Sequence, residues 1–323
     1  MTTAALLFDT DQVDEVEDWT EQLNRLGRKS ILWIDLDRDD RRQLENAFET
    51  LELSRTSAER LTDGDTRPYF GDFGDYLHVT AFAPSRRDGK TGSVKVDCLF
   101  SEHWLMTVHE TPIEVFDDFR ERMTSSSGDV GRLDGPEFLA DLLAWVLEAY
   151  LGEFEAIELA LEEFDARVMR GRNGDAEDEL ARLVEVRQQI GGLRRALVSH
   201  RGMFLSLAQP ELEAITSSEH AHRFRTLRGQ LEEVVQVARD SRDAVFGSFD
   251  VLIARTEHRT NEIMKVLTLG AFLFLPGALT AGVLGMNFKL EFFETGWYFW
   301  VVCAAIVAVG AGTLAVARTR EWI

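Results

Sequence analysis

The stretch VLTLGAFLFLPGALTAGVLGM, Val266–Met286, contains no Asp, Glu, Lys, Arg or His, and neither does TGWYFWVVCAAIVAVGAGTLAVA, Thr295–Ala317. Between them lies a short polar and charged bridge, Asn287–Glu294. At about 1.5 Å per residue, a helix built from either stretch reaches roughly 30 Å, the thickness of a bilayer's hydrocarbon core. One such run could be the core helix of a soluble protein, but two in succession behind a polar chain read as a transmembrane hairpin. Lipid offers no partner to stray peptide groups, so both stretches should be helical throughout. Pro276 removes one helical hydrogen bond beside Gly277, with Gly282 and Gly285 further on. These residues read either as packing glycines with a tolerated kink, or as small residues that let several copies approach a common axis. Trp297, Tyr298 and Trp300 open the second span, where amphipathic rings sit at the outer interface.

Charge sets the orientation. Arg255, Arg259 and Lys265 precede the first span, Arg318 and Arg320 follow the second, and the bridge sets Lys289 against Glu291 and Glu294. The positive-inside bias therefore puts both termini in the cytoplasm. Met1–Leu7 is too short an apolar start, and too poor in bases, to act as a signal peptide, so the hairpin itself would direct insertion. The formal net charge is −21. From Asn287 onward Lys289, Arg318 and Arg320 balance Glu291, Glu294 and Glu321, so the whole deficit lies before the bridge. Such a charge disfavours nucleic acid and repels anionic headgroups. It could draw cations to the body, or serve only solubility or a salty interior.

Residues 1–130 read as a cytoplasmic α/β domain. Ile31–Leu36, Tyr76–Phe82, Ser93–Phe100 and Trp104–His109 have strand character, and Asp39–Phe48 that of a helix. Thr124–Gly135, rich in Ser, Gly and Asp, connects to a helical part. Over 136–210 the apolar residues recur at helical spacing in two runs, Phe138 to Val168 and Leu180 to Leu207, broken at Gly171–Asp175. They predict an antiparallel helical pair. From Ser218 to Gly285 the only proline is Pro276, so 218–286 predicts one long stalk helix of about 100 Å running into the first span. The bridge 287–294, the second span 295–317 and a cytoplasmic tail 318–323 follow. A helix that long needs bundle packing, which points to an oligomer.

Catalysis finds no footing. His78, His103, His109, His200, His220, His222 and His258 form no HExxH pair, and His220 and His222 read as exposed. Cys98 and Cys303 are isolated, and no phosphate-binding loop of the Walker type is present. The expectation is a protein that is not an enzyme and has no cofactor.

Gly285-Met286-Asn287-Phe288 closes the first span, Thr260-Asn261-Glu262-Ile263-Met264-Lys265-Val266-Leu267-Thr268 opens it, and Trp33-Ile34-Asp35-Leu36 stands near the start of the chain. In this order, and with two C-terminal spans, these strings resemble the CorA family of divalent-cation transport proteins, also called the two-TM-GxN family. The resemblance covers essentially the whole chain. It implies an α/β cytoplasmic domain, a long helical stalk and two C-terminal transmembrane helices, assembled as a funnel-shaped homopentamer whose first spans line a pore. It also implies a prokaryotic plasma membrane and passive inward transport of Mg2+, with Co2+ and Ni2+ carried by some members.

Carried onto this chain, the resemblance makes Gly285, Met286 and Asn287 the selectivity element at the pore mouth. A ring of Asn287 amides would hold a cation through its hydration waters, which suits Mg2+ because that ion dehydrates reluctantly. Glu291 and Glu294 would attract cations to the entrance. Gly282 would present carbonyls inside the pore. Asn261, Met264, Leu267 and Ala271 lie on one helical face, and Met264 with Leu267 would form a hydrophobic girdle that closes by dewetting; without the resemblance they read as packing residues. Asp250 would hold a regulatory Mg2+ that stabilises the closed state, with no partner placed in the N-terminal domain, where Asp72 and Asp75 are merely nearby acids. The chain departs from the family pattern at Leu284, at Gly277-Ala278 and in the bridge itself. Two alternatives stand beside this reading: a proton-coupled Zn2+ transporter of the same superfamily, and a membrane-tethered cation sensor or scaffold without flux.

Overall fold

The protein is described by a computed structural model covering residues 4–9, 13–27, 30–62, 67–87, 90–110, 113–125, 134–170, 176–209, 218–286 and 296–319. Two compact units emerge, one of Met1–Arg167 with Glu177–Phe249, the other of Val168–Ala176 with Asp250–Ile323.

The first unit is built on a mixed sheet of seven strands: β1 (Ala4–Phe8), β2 (Val13–Glu15), β3 (Ile31–Asp37), β4 (Tyr69–Asp72), β5 (Leu77–Arg87), β6 (Lys90–Phe100) and β7 (Trp104–His109), in the order β2-β1-β3-β7-β6-β5-β4. Only β3 and β7 pair in parallel; the other neighbours are antiparallel. Because side chains alternate along a strand, Trp33-Ile34-Asp35-Leu36 serves two layers at once. Leu32, Ile34 and Leu36 pack with Trp19, Leu44, Ala47 and Leu61 from α1 (Trp19–Leu23), α2 (Arg41–Thr50) and α3 (Arg55–Thr62). On the opposite face the Trp33 ring meets Phe116 and Phe119 of α4 (Glu114–Ser125) and Phe138 of α5 (Gly135–Met169), with centroids 5.7 to 6.5 Å apart. The result is a three-layer α/β/α sandwich.

Asp35 is the polar half of that string. Trp33 Nε1 donates to Thr107 Oγ1 at 3.0 Å, and that hydroxyl donates on to Asp35 Oδ1 at 2.6 Å. Arg120 of α4 closes on the other carboxylate oxygen at 2.8 Å, so this string ties α4 to the sheet. At the entry to α5, Gly135 is obligatory for steric reasons: a Cβ there would lie 1.7 Å from the Ser101 carbonyl oxygen. Its own N–H donates to the Glu102 carbonyl at 2.8 Å.

The expected return helix is two pieces, α6 (Ala176–Ser199) and α7 (Arg201–Leu207), meeting at His200. No proline or glycine stands at His200; the break coincides with a hydrogen bond that its ring accepts from the distant Phe82 N–H. The long helix α8 (Ser218–Gly285) forms without interruption and contributes residues to both units. In the first unit α8 runs parallel to α5, joined by Arg223–Asp141 and by Ser241 Oγ donating to Glu158 Oε1 at 2.8 Å. His220, expected to be exposed, is buried instead. Its Nε2 lies 2.8 Å from Asp134 Oδ2, while Asp134 Oδ1 accepts from the Glu137 N–H at the start of α5. One carboxylate therefore caps α5 and anchors α8.

Candidate functional site

The second unit holds the apolar part of α8 and α9 (Trp297–Thr319), the two described helices long and apolar enough to cross a membrane. They meet through small residues. A Cβ at Gly277 would lie 3.4 Å from Ile306 Cγ2, and one at Gly310 would lie 3.3 Å from Leu273 Cδ1. Glycine on one helix thus receives a branched aliphatic side chain from the other, the packing that lipid-embedded helices favour. Pro276 leaves the helix continuous, and the Thr280 hydroxyl donates to the Pro276 carbonyl at 2.7 Å.

That contact fixes which face of α8 is left open. At about 100° per residue, Met264, Ala271 and Gly282 fall roughly 120–180° around the helix from Leu273 and Gly277, and Leu267 roughly 80–120°. Met264 is 58% and Leu267 72% exposed. Exposure alone does not single them out, since Ile263 and Val266 are 60% and 72% exposed; the angular position does. Asn261 sits at the margin of this stripe, also exposed. Gly285 ends α8 on the same side, and the N–H of Met286 donates to the Val283 carbonyl at 3.2 Å. Asn287, Glu291 and Glu294 lie outside the described residues.

Asp250 is exposed on α8, and the described residues contain no group of three or more His, Cys, Asp or Glu side chains placed to hold a metal ion. Asp72 serves its own turn, where its Oδ1 accepts from the Gly74 N–H at 2.9 Å and Gly74 adopts φ of +85°. Asp75 is exposed beside it. Among the described residues of one chain, then, Met264, Leu267, Ala271 and Gly282 share a face, while Asp72, Asp75 and Asp250 form no metal-binding group.

Sequence reading passed over the most demanding electrostatics of the first unit. Asp97 is fully buried on β6, with Arg38 Nη2 at 2.7 Å and Lys95 Nζ at 3.1 Å on one oxygen, and with the Thr80 hydroxyl at 2.6 Å on the other. His78 Nε2 approaches at 3.4 Å. Burial alone would raise the Asp97 carboxyl, but His78, Lys95 and Thr80 outweigh it and hold the group below the ordinary carboxylate range. Strand alternation could have flagged Asp97 as facing Thr80 across the sheet, yet nothing local announces Arg38. This cluster ties the sheet together from within.

A three-layer α/β sandwich whose chain leads through a 68-residue helix into a pair of helices long and apolar enough to cross a membrane is the architecture expected of a two-span membrane protein with a large polar domain. The family described as CorA-like Mg2+ transporter protein matches residues 28–318, and the chain belongs to that family, a class of ion transporters rather than enzymes. Similar curated proteins include the magnesium transport protein CorA of Escherichia coli, 26% identical over 314 residues, spanning 90% of this chain and 93% of the relative. Another is the cobalt/magnesium transport protein CorA of Thermotoga maritima, 22% identical over 260 residues, spanning 80% of this chain and 73% of the relative. Among solved structures, the complete CorA magnesium transporter of Methanocaldococcus jannaschii superposes over 100% of both chains, with a TM-score of 0.81 at 18% identity. The cytoplasmic domain of ZntB from Vibrio parahaemolyticus, at a TM-score of 0.59 and 13% identity, covers 80% of this chain and 100% of its own. The fold of an α/β domain, a long helix and two apolar C-terminal helices is therefore that of full-length CorA.

Proposed function

We propose that this chain carries hydrated divalent cations, Mg2+ foremost with Co2+ and Ni2+ as further substrates, inward across a prokaryotic plasma membrane with both termini cytoplasmic. The open stripe of Met264, Leu267, Ala271 and Gly282, turned away from α9, is the observation that carries the proposal. In lipid an apolar face needs no cover, but the small residues of this stripe, Ala271 and Gly282, let further copies of the chain approach closely. Five copies, the assembly of the family, bring five such stripes around one axis.

In that arrangement Met264 and Leu267 form a ring too apolar to stay wet when narrow, and the ion passes only when the ring widens. Asn287 holds the ion at the mouth through its waters; neutral amides accept hydrogen bonds from those waters without stripping them. Gly285 and Met286 shape that mouth, and Gly282 offers carbonyls below it. Glu291 and Glu294 raise the local cation concentration. Mg2+ bound at Asp250 from the cytoplasm offsets repulsion among acidic protomers and favours the closed state, so a fall in internal Mg2+ opens the ring. Flow follows the electrochemical gradient, with the negative interior adding to the inward force.

Flux into proteoliposomes, compared for Mg2+, Co2+, Ni2+ and Zn2+ with and without a proton gradient, tests the reading. Mg2+ entry without the gradient supports it. Zn2+ entry that requires the gradient moves the chain to the Zn2+ branch, and no flux from intact oligomers leaves a sensor or scaffold.

A further inference from the structure

Strand β5 outruns its partner β4, whose first residue Tyr69 pairs with Thr80. Beyond that point β6 is its sole strand neighbour among the described residues. An open edge leaves peptide groups unpaired, and buried peptide groups must find partners. Phe82 finds two. Its N–H donates to His200 Nε2 at 2.8 Å, and its carbonyl accepts from the Tyr150 hydroxyl at 3.1 Å. Pro84, next on the same side of the strand, has no N–H to satisfy. A phenol from α5 and an imidazole from the corner between α6 and α7 thus stand in for the missing strand.

The ring's protonation state is fixed by these bonds. Nε2 accepts from a peptide N–H, so it is bare, and Nδ1 carries the proton and donates to the Ala196 carbonyl at 2.7 Å. A second proton would place a donor against the Phe82 N–H. The ring's other neighbours are uncharged: Phe82 of β5 at 6.0 Å and Phe204 of α7 at 6.4 Å, with Tyr150 reaching the same peptide from α5 and kept neutral by burial. The adjacent charge, Arg201, is engaged with Glu232 of α8 at 2.5 and 2.7 Å.

We propose that His200 is an acid-released latch, which in its neutral form closes the open edge of β5 onto the corner between α6 and α7 and on protonation frees that corner. Arg201 keeps the freed corner attached to α8, so the latch governs whether the sheet edge and this stretch of α8 move together. The inference is independent of which ion the protein carries. Burial pushes the ring's pKa down from 6.5 to about 4. The latch is therefore fully engaged above about pH 6.5 and weakens as the pH falls toward 4.

Hydrogen exchange of the full-length protein in detergent, corrected for intrinsic rates and read on peptides covering Leu77–Arg87, tests this. Linkage through the two ring values raises the open population roughly twentyfold between pH 7 and pH 5, with a matching loss of protection at Phe82. Peptides from β3 serve as the reference that should not follow. His200→Gln offers the Phe82 N–H an amide oxygen that does not titrate, so the pH dependence should vanish whatever its starting protection. An unchanged profile in the wild type over that range, or the same pH dependence in His200→Gln, would overturn the latch.

Discussion

Replacing Asp97 with alanine should be among the most damaging single changes in the first unit. The carboxylate is fully buried, and the cations that close on it, Arg38 and Lys95, have side chains only 7% and 11% exposed. The substitution takes the shared carboxylate from both cations, leaving Arg38 only its Glu110 contact at 3.0 Å and Lys95 the Arg60 carbonyl at 2.8 Å; breaking such a buried pair typically costs about 3–5 kcal/mol. The Thr80 hydroxyl loses its acceptor as well. Against a total stability of about 5–15 kcal/mol, this is a large fraction. Asp97→Asn keeps the shape and one acceptor oxygen, so a smaller loss of about 1–3 kcal/mol is expected. Lys95→Met in the Asp97→Ala background removes a buried cation that has lost its carboxylate and should recover part of the loss, a coupling that a double-mutant cycle reads directly. Urea titration of each full-length protein in detergent, followed by the fluorescence of buried Trp19 and Trp33, supplies the values. If Asp97→Ala falls within about 1 kcal/mol of wild type, then Arg38 and Lys95 are solvated in place and the reasoning is wrong.

Other expectations are narrower. Gly135→Ala forces a Cβ onto the Ser101 carbonyl oxygen and should cost at least about 1–3 kcal/mol, read as a lower urea midpoint, whereas Gly152→Ala, with open space around it, should not. Leu267→Ser should leave stability within about 0.5 kcal/mol, since the side chain is 72% exposed in the single chain, yet raise basal flux by wetting the girdle; equal flux from both proteins would remove Leu267 from the gate. Acid should act in two stages. The His200 contribution fades between about pH 6.5 and 4, whereas that of Asp97 begins to fade only below the ordinary carboxylate range and is lost as the pH falls through its lowered value. A urea midpoint flat down to pH 4 would contradict the first stage.

What could be read from the chain and what could not divide along physical lines. The two apolar helices were legible because lipid imposes one rule on every residue, and the long helix because nothing but Pro276 interrupts Ser218–Gly285. Strands β3, β5, β6 and β7 show as short apolar runs bounded by charged or Gly-containing turns. Strand β1 did not, because Ala4–Phe8 is a short apolar run whose strand character comes only from pairing with β3 and β2. β4 is four residues with a glycine inside, too little for a pattern. The break at His200 and the burial of His220 both depend on partners more than 80 residues away, Phe82 and Asp134, which no local spacing reveals. For the site, the spacing of Met264, Leu267 and Ala271 already placed them on one face. That α9 takes the opposite face through Gly277 and Gly310 shows only in the folded chain. Asp97 stayed hidden because Lys95-Val96-Asp97-Cys98 looks like any half-solvated strand until Arg38 and His78 close over it.

The central claim, passive divalent-cation transport through a ring of Asn287, is tested most directly by Mg2+ entry into proteoliposomes without a proton gradient. Wild type and Asn287→Ala should be compared at matched oligomer mass. Rapid Mg2+ entry in the wild type that collapses in the variant, with the assembly unchanged, is the predicted result. Undiminished Mg2+ entry through Asn287→Ala, or none through intact wild-type oligomers freed of internal divalent ions, would contradict it.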